Sequence, residues 1–179
     1  QSVRMYEAFE AVFGKGSPRL VKVLAGQAAW TQPCEMQLAA LKDSKINPNG
    51  TQPTAYAVAP YITGASVSEL EDDAIPEATD WMVESEKCAS SAKLPLIAYE
   101  AGQDSYSLGE QGCAGLQKDP ALKGVYTKYL DAMAGTKLKG PLMHYTHSGN
   151  CWGLKQKTSD SAANSPKYQG VLDWVKAHP

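Results

Sequence analysis

The chain has 179 residues, and its 17 lysines and arginines nearly balance its 19 aspartates and glutamates. This balance excludes a strongly basic nucleic-acid-binding surface and a polyanionic tail. The apolar content of 43% is that of an ordinary globular chain, and no apolar stretch approaches the ~18 residues of a membrane span. We therefore expect one domain over residues 1–179, with neither a nucleic acid nor a membrane as partner.

The four cysteines are widely separated and form neither a Cys-x-x-Cys pair nor a cluster with zinc spacing: Cys34, Cys88, Cys113 and Cys151. No metal ion and no cofactor is therefore expected. An even number of cysteines permits two disulfides in any of three pairings, although four free cysteines in a cytosolic protein are also compatible with it, and cysteine usage only slightly favours an exported protein. The amino terminus carries neither an initiator Met nor the apolar block of a signal peptide, which is typical of a processed or excised end.

Helical and strand patterns alternate along the chain. Apolar spacing predicts a helix over residues 2–13, followed by a buried strand at Leu20–Ala25. A second helix is predicted from Thr31 and Pro33 to the turn-rich Asn47–Gly50, and a second strand follows at Ala55–Ile62.

The second half of the chain continues the alternation. Ser68 and Glu71 resemble a capping box that opens a helix interrupted by Pro76. The remaining predicted elements are a strand at Leu94–Tyr99, a polar loop over 101–118, a helix from Asp119-Pro120, a short strand at Leu142–Thr146, a loop over 148–164 and a helix from Ser165-Pro166.

Strands that alternate with helices predict an α/β fold with parallel strands joined by right-handed crossovers. Two architectures are compatible with this order: an open doubly wound sheet, or a run of βα units from a barrel. No glycine-rich phosphate-binding motif follows a strand, and the chain has no Gly-x-Ser-x-Gly motif. The nucleotide-binding and α/β-hydrolase versions of the fold therefore lose support.

In either architecture the functional site lies beyond the carboxyl ends of the strands. The residues predicted there combine a carboxylate, amide and phenol groups and indole rings, which suits the binding of a sugar. We expect substrate contacts from Gln27, Trp30, Tyr61, Tyr99, Glu100, Gln103, His147, Asn150 and Trp152. Packing in the core is an equally good interpretation of Trp30 and of Trp152.

Glu100 is the sharpest single feature, because it directly follows an apolar strand and is followed by Ala101-Gly102. It could act as a glycosidase nucleophile or base, with Tyr99 or Tyr61 as hydrogen-bond donor, or it could simply end the strand and bind loop backbone. His144 and His147 have no acidic partner nearby in sequence and are poor candidates for metal ligands. A Ser105, His147 and Asp104 trio is the kind of set that chance supplies.

Short motifs along the chain together resemble a known family. They are the segments 19–27, 57–61, 97–103, 149–154 and 165–168, which include Ala-Tyr-Glu-Ala-Gly-Gln around Glu100 and Gly-Asn-Cys-Trp-Gly-Leu around Trp152. In order and spacing they resemble the carboxyl-terminal half of a secreted (β/α)8-barrel glycoside hydrolase of the retaining, two-glutamate superclan, with cellulases and arabinofuranosidases as examples.

The resemblance implies four parallel βα units and a leading helix, equivalent to strands five to eight of the barrel. It implies that Glu100 is the nucleophile, that Tyr61 orients it and that Trp152 is the aromatic platform for the scissile sugar. The family's acid/base follows an Asn at the end of strand four, which would precede residue 1, and this chain has no Asn-Glu pair. A missing amino-terminal half-barrel or a second chain is therefore expected as partner.

The resemblance thus predicts an extracellular or periplasmic segment that hydrolyses a poly- or oligosaccharide with retention. The alternatives are a non-catalytic carbohydrate-binding protein derived from a barrel, and a different α/β hydrolase that uses His147.

Overall fold

A computed structural model describes all 179 residues of the chain. The helices are α1 (Ser2–Phe13), α2 (Gln32–Lys42), α3 (Ile75–Ser91), α4 (Gly109–Leu116), α5 (Leu122–Gly135) and α6 (Pro166–Ala177). The strands are β1 (Val23–Ala25), β2 (Ala55–Val58), β3 (Tyr61–Thr63), β4 (Leu96–Asp104) and β5 (Leu138–His144). None of the helices combines the length and the apolar character that crossing a membrane requires.

All strand pairs are parallel, so the fold is α/β as predicted. β1 pairs with β2, β2 and β3 both pair with β4, and β4 pairs with β5. The spatial order therefore follows the sequence order without the reversal that defines a doubly wound sheet. Right-handed crossovers that always step in the same direction place their helices on one face of the sheet.

The opposite face of the sheet is not covered by helices. Tyr99 of β4 and Met143 of β5 are exposed there, and Tyr145 is exposed directly after β5. The two edge strands β1 and β5 each pair on one side only, so the sheet is open at both edges. Closure into a barrel would need further strands that pair with both of these edges.

The predicted strand Ala55–Ile62 is two short strands, because pairing stops at Ala59 and Pro60 and resumes at Tyr61. Both halves pair with β4, which runs to Asp104 and not only to the predicted end at Tyr99. Glu100 therefore lies inside a strand, whereas the sequence placed it at the strand's end. The glycine and polar residues after Glu100 masked this continuation, because they have low β-propensity and the pairing with β3 is not local.

The last strand begins at Leu138, four residues earlier than predicted, and it includes Gly140 and Pro141. A proline cannot donate a ladder hydrogen bond and is confined to edge strands, and β5 is such an edge. The first strand is shorter than predicted, at three residues.

The third helix begins with a turn of π-helix over Glu69–Ala74 that runs directly into α3, so Pro76 does not interrupt it. Pro76 is the second residue of α3, directly after the π-helical turn, so the hydrogen-bond spacing of the helix changes next to the residue that lacks an N–H. The capping box is formed by Ser66 and Glu69 and not by Ser68 and Glu71. The Ser66 hydroxyl oxygen accepts from the N–H of Glu69, and the Glu69 carboxylate accepts from the N–H of Ala65.

The segment predicted as a long polar loop after Glu100 contains a short 3-10 turn, Tyr106–Leu108, and the helix α4. Glycines at positions 109, 112 and 115 hid this helix, since glycine is a poor helix former. Cys113 of α4 forms a disulfide with Cys151, and Cys34 of α2 forms one with Cys88 of α3. The disulfides thus join α2 to α3 and α4 to the loop after β5.

The core lies between the sheet and the helices. Tyr56, Val58 and Leu96 of the sheet pack there with residues of the helices, among them Leu38, Met82, Val125 and Tyr129. Tyr129 donates its hydroxyl proton to the carbonyl oxygen of Pro60, at 2.7 Å, and this bond fixes the break between β2 and β3. The carboxyl ends of β3, β4 and β5 are therefore held by α5 from one side and are open on the other.

Candidate functional site

A β-bulge in β4 directs Glu100 toward the open face of the sheet. Ala98 is opposite Leu142 and Ala101 is opposite His144, so β4 has one more residue than β5 between these pairs. Ala98 and Ala101 are both buried, whereas Tyr99 is exposed and Glu100 is half-buried. The extra residue lets Tyr99 and Glu100 both turn away from the helices, which strict alternation would not allow.

Tyr61 of β3 donates its hydroxyl proton to Oε2 of Glu100, at 3.1 Å. The register places Tyr61 opposite Gly102, two residues beyond Glu100. Burial raises the pKa of Tyr61 well above its usual value, and the charge of Glu100 and the hydrogen bond to it raise that pKa further. Tyr61 therefore stays a neutral donor over the whole physiological pH range, and the Glu100 carboxylate keeps its orientation.

Tyr145 completes a row of side chains from three adjacent strands. Its N–H donates to the carbonyl oxygen of Ala101, at 2.9 Å, immediately after β5. Tyr145 is close enough to Tyr61 to contribute to the raised pKa of that phenol. Tyr61, Glu100 and Tyr145 thus come from β3, β4 and the end of β5 and lie together at the carboxyl end of the sheet.

Trp152 lies beside this row in an aromatic cluster. Its ring stacks on that of Tyr106 with a centroid distance of 5.1 Å and an angle of 12°. Tyr145 contacts the same indole edge-on, with a centroid distance of 6.3 Å and an angle of 69°. Tyr106 and Tyr145 are 61% and 48% exposed, so this cluster is not part of the core. Of the two interpretations of Trp152, the structure therefore excludes burial in the main core.

Gln103 lies beneath this surface and is 1% exposed. Its Nε2 donates to the hydroxyl oxygen of Ser105, at 2.8 Å, and Ser105 donates in turn to the carbonyl oxygen of Gly64, at 2.6 Å. The backbone N–H of Gln103 donates to the hydroxyl of Tyr126. In this position Gln103 holds the end of β4 against the loop after β3, and its side chain does not reach solvent.

A buried polar group supports the site from the helical side. The Tyr126 hydroxyl lies 3.0 Å from Nε2 of His144, and the ammonium of Lys167 lies over the Tyr126 ring at 5.6 Å. Burial, followed by the charge of Lys167, lowers the pKa of His144 to about 4. Burial lowers the pKa of Lys167 to about 7. His144 is therefore neutral near pH 7 and can accept the Tyr126 proton.

Gln27 and Trp30 follow β1, two strands away from β4, and both are exposed without a contact to Glu100. Asn150 is exposed in the loop that carries Trp152. His147 is also exposed, and its ring meets that of Tyr168 edge-on at 5.7 Å. The structure thus brings Tyr61, Tyr99, Glu100 and Trp152 to one region. Of the other predicted contact residues, Gln103 is buried beneath this region, and Gln27, Trp30, His147 and Asn150 are exposed outside it.

A serine–histidine–aspartate arrangement is not formed. The hydroxyl of buried Ser105 is used by Gln103 and Gly64, and Asp104 accepts from the N–H of Tyr106 at 3.0 Å. His147 contacts neither of them. No group of three or more His, Cys, Asp or Glu side chains is placed to hold a metal ion.

Tyr106 and Tyr145 were missed by the sequence interpretation. Tyr106 lies in the predicted loop over 101–118, and Tyr145 directly follows β5, although the sequence predicts that this strand extends to Thr146. The position of Tyr145 at the end of the fourth βα unit was a usable signal, because side chains at strand ends line the site in this class of fold. Nothing local to Tyr106 predicts its stack on Trp152, which is 46 residues away.

The arrangement offers one oriented carboxylate, a neutral phenol that donates to it and a partly exposed aromatic surface alongside. Such a set can hold a sugar ring through C–H contacts to the indole and place its anomeric carbon near a carboxylate. Comparison of the chain with protein families, with curated proteins and with solved structures finds no match.

Proposed function

We propose that this chain is the segment of a glycoside hydrolase that carries the nucleophile, and that Glu100 attacks the anomeric carbon of a polysaccharide. The observation that carries the proposal is the hydrogen bond from Tyr61 to Oε2 of Glu100. A carboxylate nucleophile must be ionised and must present one oxygen in a fixed direction. A phenol that remains protonated supports the second requirement, because its hydrogen bond holds Oε2 in one direction.

The aromatic cluster supports the choice of substrate. Sugars bind to flat aromatic faces through their C–H surface and to polar groups through their hydroxyls, and Trp152 with Glu100 and Tyr61 supplies both. Glu100 and Asp104 also make the site acidic, since both raise the pKa of Tyr61. We therefore favour a neutral polysaccharide over one built from uronic acids.

A retaining mechanism needs a second carboxyl group about 5–5.5 Å from the first, to protonate the leaving oxygen. We propose that this acid/base lies upstream of residue 1, on further strands that complete the sheet. The open edges of β1 and β5 and the uncovered face with Tyr99 and Met143 support this partner, because unpaired edges and exposed apolar side chains favour association.

We further propose that the protein is secreted. All four cysteines form disulfides, which persist in oxidising compartments and are rare in the cytosol.

The alternative is a carbohydrate-binding protein without catalysis. The half-buried Trp152, with Tyr106 stacked on it, favours this function to the same degree as the first, because it would bind sugar whether or not an acid/base is present. In that case Glu100 accepts hydrogen bonds from sugar hydroxyls and breaks no bond.

Substitution of Glu100 by Gln distinguishes the two functions. In the chain joined to its upstream sequence, we expect the Glu100→Gln variant to lose hydrolysis of β-glucan, mannan or xylan and to keep binding to the polysaccharide, since the amide has the same shape but cannot act as a nucleophile. Release of reducing ends measures hydrolysis, and affinity electrophoresis measures binding. Glu35→Gln, an exposed change on α2, is the charge-matched control and should behave as the unmodified chain.

Unchanged hydrolysis in Glu100→Gln would refute the nucleophile assignment. Binding without hydrolysis by the unmodified chain joined to its upstream sequence would favour the alternative. As a second check, a 2-fluoro glycoside should label Glu100 in that longer protein, and labelling of another residue would count against the proposed mechanism.

A further inference from the structure

We infer that Tyr106 is a positioning residue for carbohydrate, which acts by holding the Trp152 indole as a ready-made stacking surface. This inference rests on the proposed function, because it concerns the same site and the same class of ligand. It assigns a role to a residue that has no place in the chemistry of Glu100.

The first step is the geometry of the two rings. Their planes are 12° apart and their centroids are 5.1 Å apart, so one face of the indole is covered by the phenol. The rings are nearly parallel although their residues are 46 positions apart in the chain. An exposed tryptophan without such a neighbour would sample several rotamers, and the stack selects one of them.

The second step is that Tyr106 itself is fixed. Its N–H donates to Oδ1 of Asp104, at 3.0 Å, and the neighbouring Ser105 is held by Gln103 and by the Gly64 carbonyl. The Tyr106 ring is nevertheless 61% exposed, and its hydroxyl makes no hydrogen bond within the protein. The ring therefore contributes little to the core. Because the backbone that carries it is held in place, the ring can keep the Trp152 indole in one orientation.

The third step is that the loop of Trp152 is fixed to the same turn. The disulfide Cys113–Cys151 ends at the residue before Trp152, and Sγ of Cys113 lies 2.9 Å from the carbonyl oxygen of Ser105. Gln117 donates to the carbonyl oxygens of Gly149 and Gly153, on both sides of Trp152. The two stacked rings are therefore carried by two loops that are joined covalently and by hydrogen bonds.

These contacts mean that little conformational entropy is lost at this surface when a sugar binds. Immobilising a free side chain on binding costs conformational entropy, and a side chain that is already ordered avoids this loss. Removal of the Tyr106 ring should therefore weaken carbohydrate binding by freeing the indole that it stacks on, whether or not the phenol itself touches the ligand.

The test compares three variants of the chain. Binding of soluble gluco-, manno- and xylo-oligosaccharides is measured by isothermal titration calorimetry. We expect Tyr106→Ala to raise Kd about three- to tenfold, the effect of having to immobilise one freed side chain on binding. Tyr106→Phe should restore the affinity to within about twofold, because the stack needs the ring and not the hydroxyl. Phe9→Ala, which removes an exposed ring on α1, is the matched control and should not change Kd.

A spectroscopic measurement accompanies the titration and needs no ligand. The near-ultraviolet circular dichroism of the stacked tryptophan should weaken in Tyr106→Ala, and it should be preserved in Tyr106→Phe and in Phe9→Ala. A second removal variant, Tyr106→Leu, keeps apolar bulk without an aromatic face and should behave as Tyr106→Ala does. Unchanged far-ultraviolet spectra establish that each variant is folded.

Equal Kd values for Tyr106→Ala and the unmodified chain, with measurable binding by both, would overturn this inference and leave the proposed function intact. Loss of affinity in Tyr106→Phe equal to that in Tyr106→Ala would overturn it as well, because the hydroxyl would then be the important group. Absence of binding by the unmodified chain to every sugar would overturn both proposals together.

Discussion

Glu100 reaches the open face of the sheet because β4 has one residue more than β5 between the pairs Ala98–Leu142 and Ala101–His144. Without the bulge, alternation would direct either Tyr99 or Glu100 into the helices. A carboxylate among the buried side chains of α5 would lose its hydration, which is costly unless hydrogen bonds or a paired charge replace it. The bulge therefore lets two successive side chains point to the open face, and it lies at the position where the proposed chemistry occurs.

Lys167 is the other residue with an unusual environment. It is 1% exposed, and its ammonium donates one hydrogen bond, to the carbonyl oxygen of Cys151 at 3.3 Å. Burial lowers its pKa from 10.5 to about 7. Between these two values the unfolded chain binds more protons than the folded chain, so this group makes the folded state more stable as the pH rises from about 7 to about 10.

We predict that the variant Lys167→Met gains most in free energy of unfolding, relative to the unmodified chain, at about pH 6 and least at about pH 9. Burial of the protonated amine destabilises the folded state, and the methionine removes this penalty. The penalty in the unmodified chain decreases as the pH rises above about 7, where the buried amine loses its proton. Urea unfolding at several pH values measures the difference. The exposed Lys118→Met serves as the control for loss of a positive charge. A difference for Lys167→Met that does not shrink as the pH rises would contradict the prediction.

At the scale of elements, the two disulfides have similar spacing but different positions. Cys34–Cys88 joins α2 to α3 across 54 residues, and Cys113–Cys151 joins α4 to the loop of Trp152 across 38 residues. In the chain-entropy account each is worth about 4 kcal/mol. Because the lengths are alike, the difference between the two lies in what each one holds in place.

We predict that the double variants Cys34→Ala/Cys88→Ala and Cys113→Ala/Cys151→Ala lose similar stability, each on the order of 2–4 kcal/mol in denaturant unfolding. Only the second should also lose near-ultraviolet circular dichroism from Trp152, because its disulfide ends at the neighbouring residue. Each pair is thus the control for the other. The prediction fails if removal of Cys34–Cys88 disturbs the tryptophan signal to the same extent.

At the scale of the whole molecule, the sheet has a firm middle and two open edges. β2 and β4 pair on both sides and carry buried residues such as Tyr56, Val58 and Leu96, whereas β1 and β5 pair on one side. An apolar recess of about 250 Å³ lies between β5, α5 and α6, lined by Leu138, Leu142, Met133 and Trp174 among others. The β5 edge is therefore less completely packed than the centre.

We predict that amide hydrogen exchange is slowest in Ala55–Val58 and Leu96–Ala98 and clearly faster in β5. Exchange follows local opening, which costs most where strands are buried and paired on both sides. Mass spectrometry of peptides after timed exchange measures this order. Protection in β5 equal to that in β2 would show that its edge is covered, for instance by a second copy of the chain, and dilution would then lower that protection.

Much of the fold was predictable from the sequence because it depends on local signals. Apolar spacing located every helix except α4, and Pro166 after Ser165 marked the start of α6. The alternation of helices and strands determined that the sheet is parallel. Cysteine arithmetic permitted two disulfides in three pairings and left four free cysteines open as well, since pairing depends on distances in the folded chain.

The sequence by itself determined the α/β class and the number of βα units, and it singled out Glu100 as a candidate site residue, because each of these follows from residues that are neighbours in the chain. Only the tertiary structure decided the sequential strand order, the bulge that directs Glu100, the donor Tyr61 39 residues away and the stack of Tyr106 on Trp152. These depend on register and on contacts between distant segments, where a shift of one residue reverses the direction of a side chain.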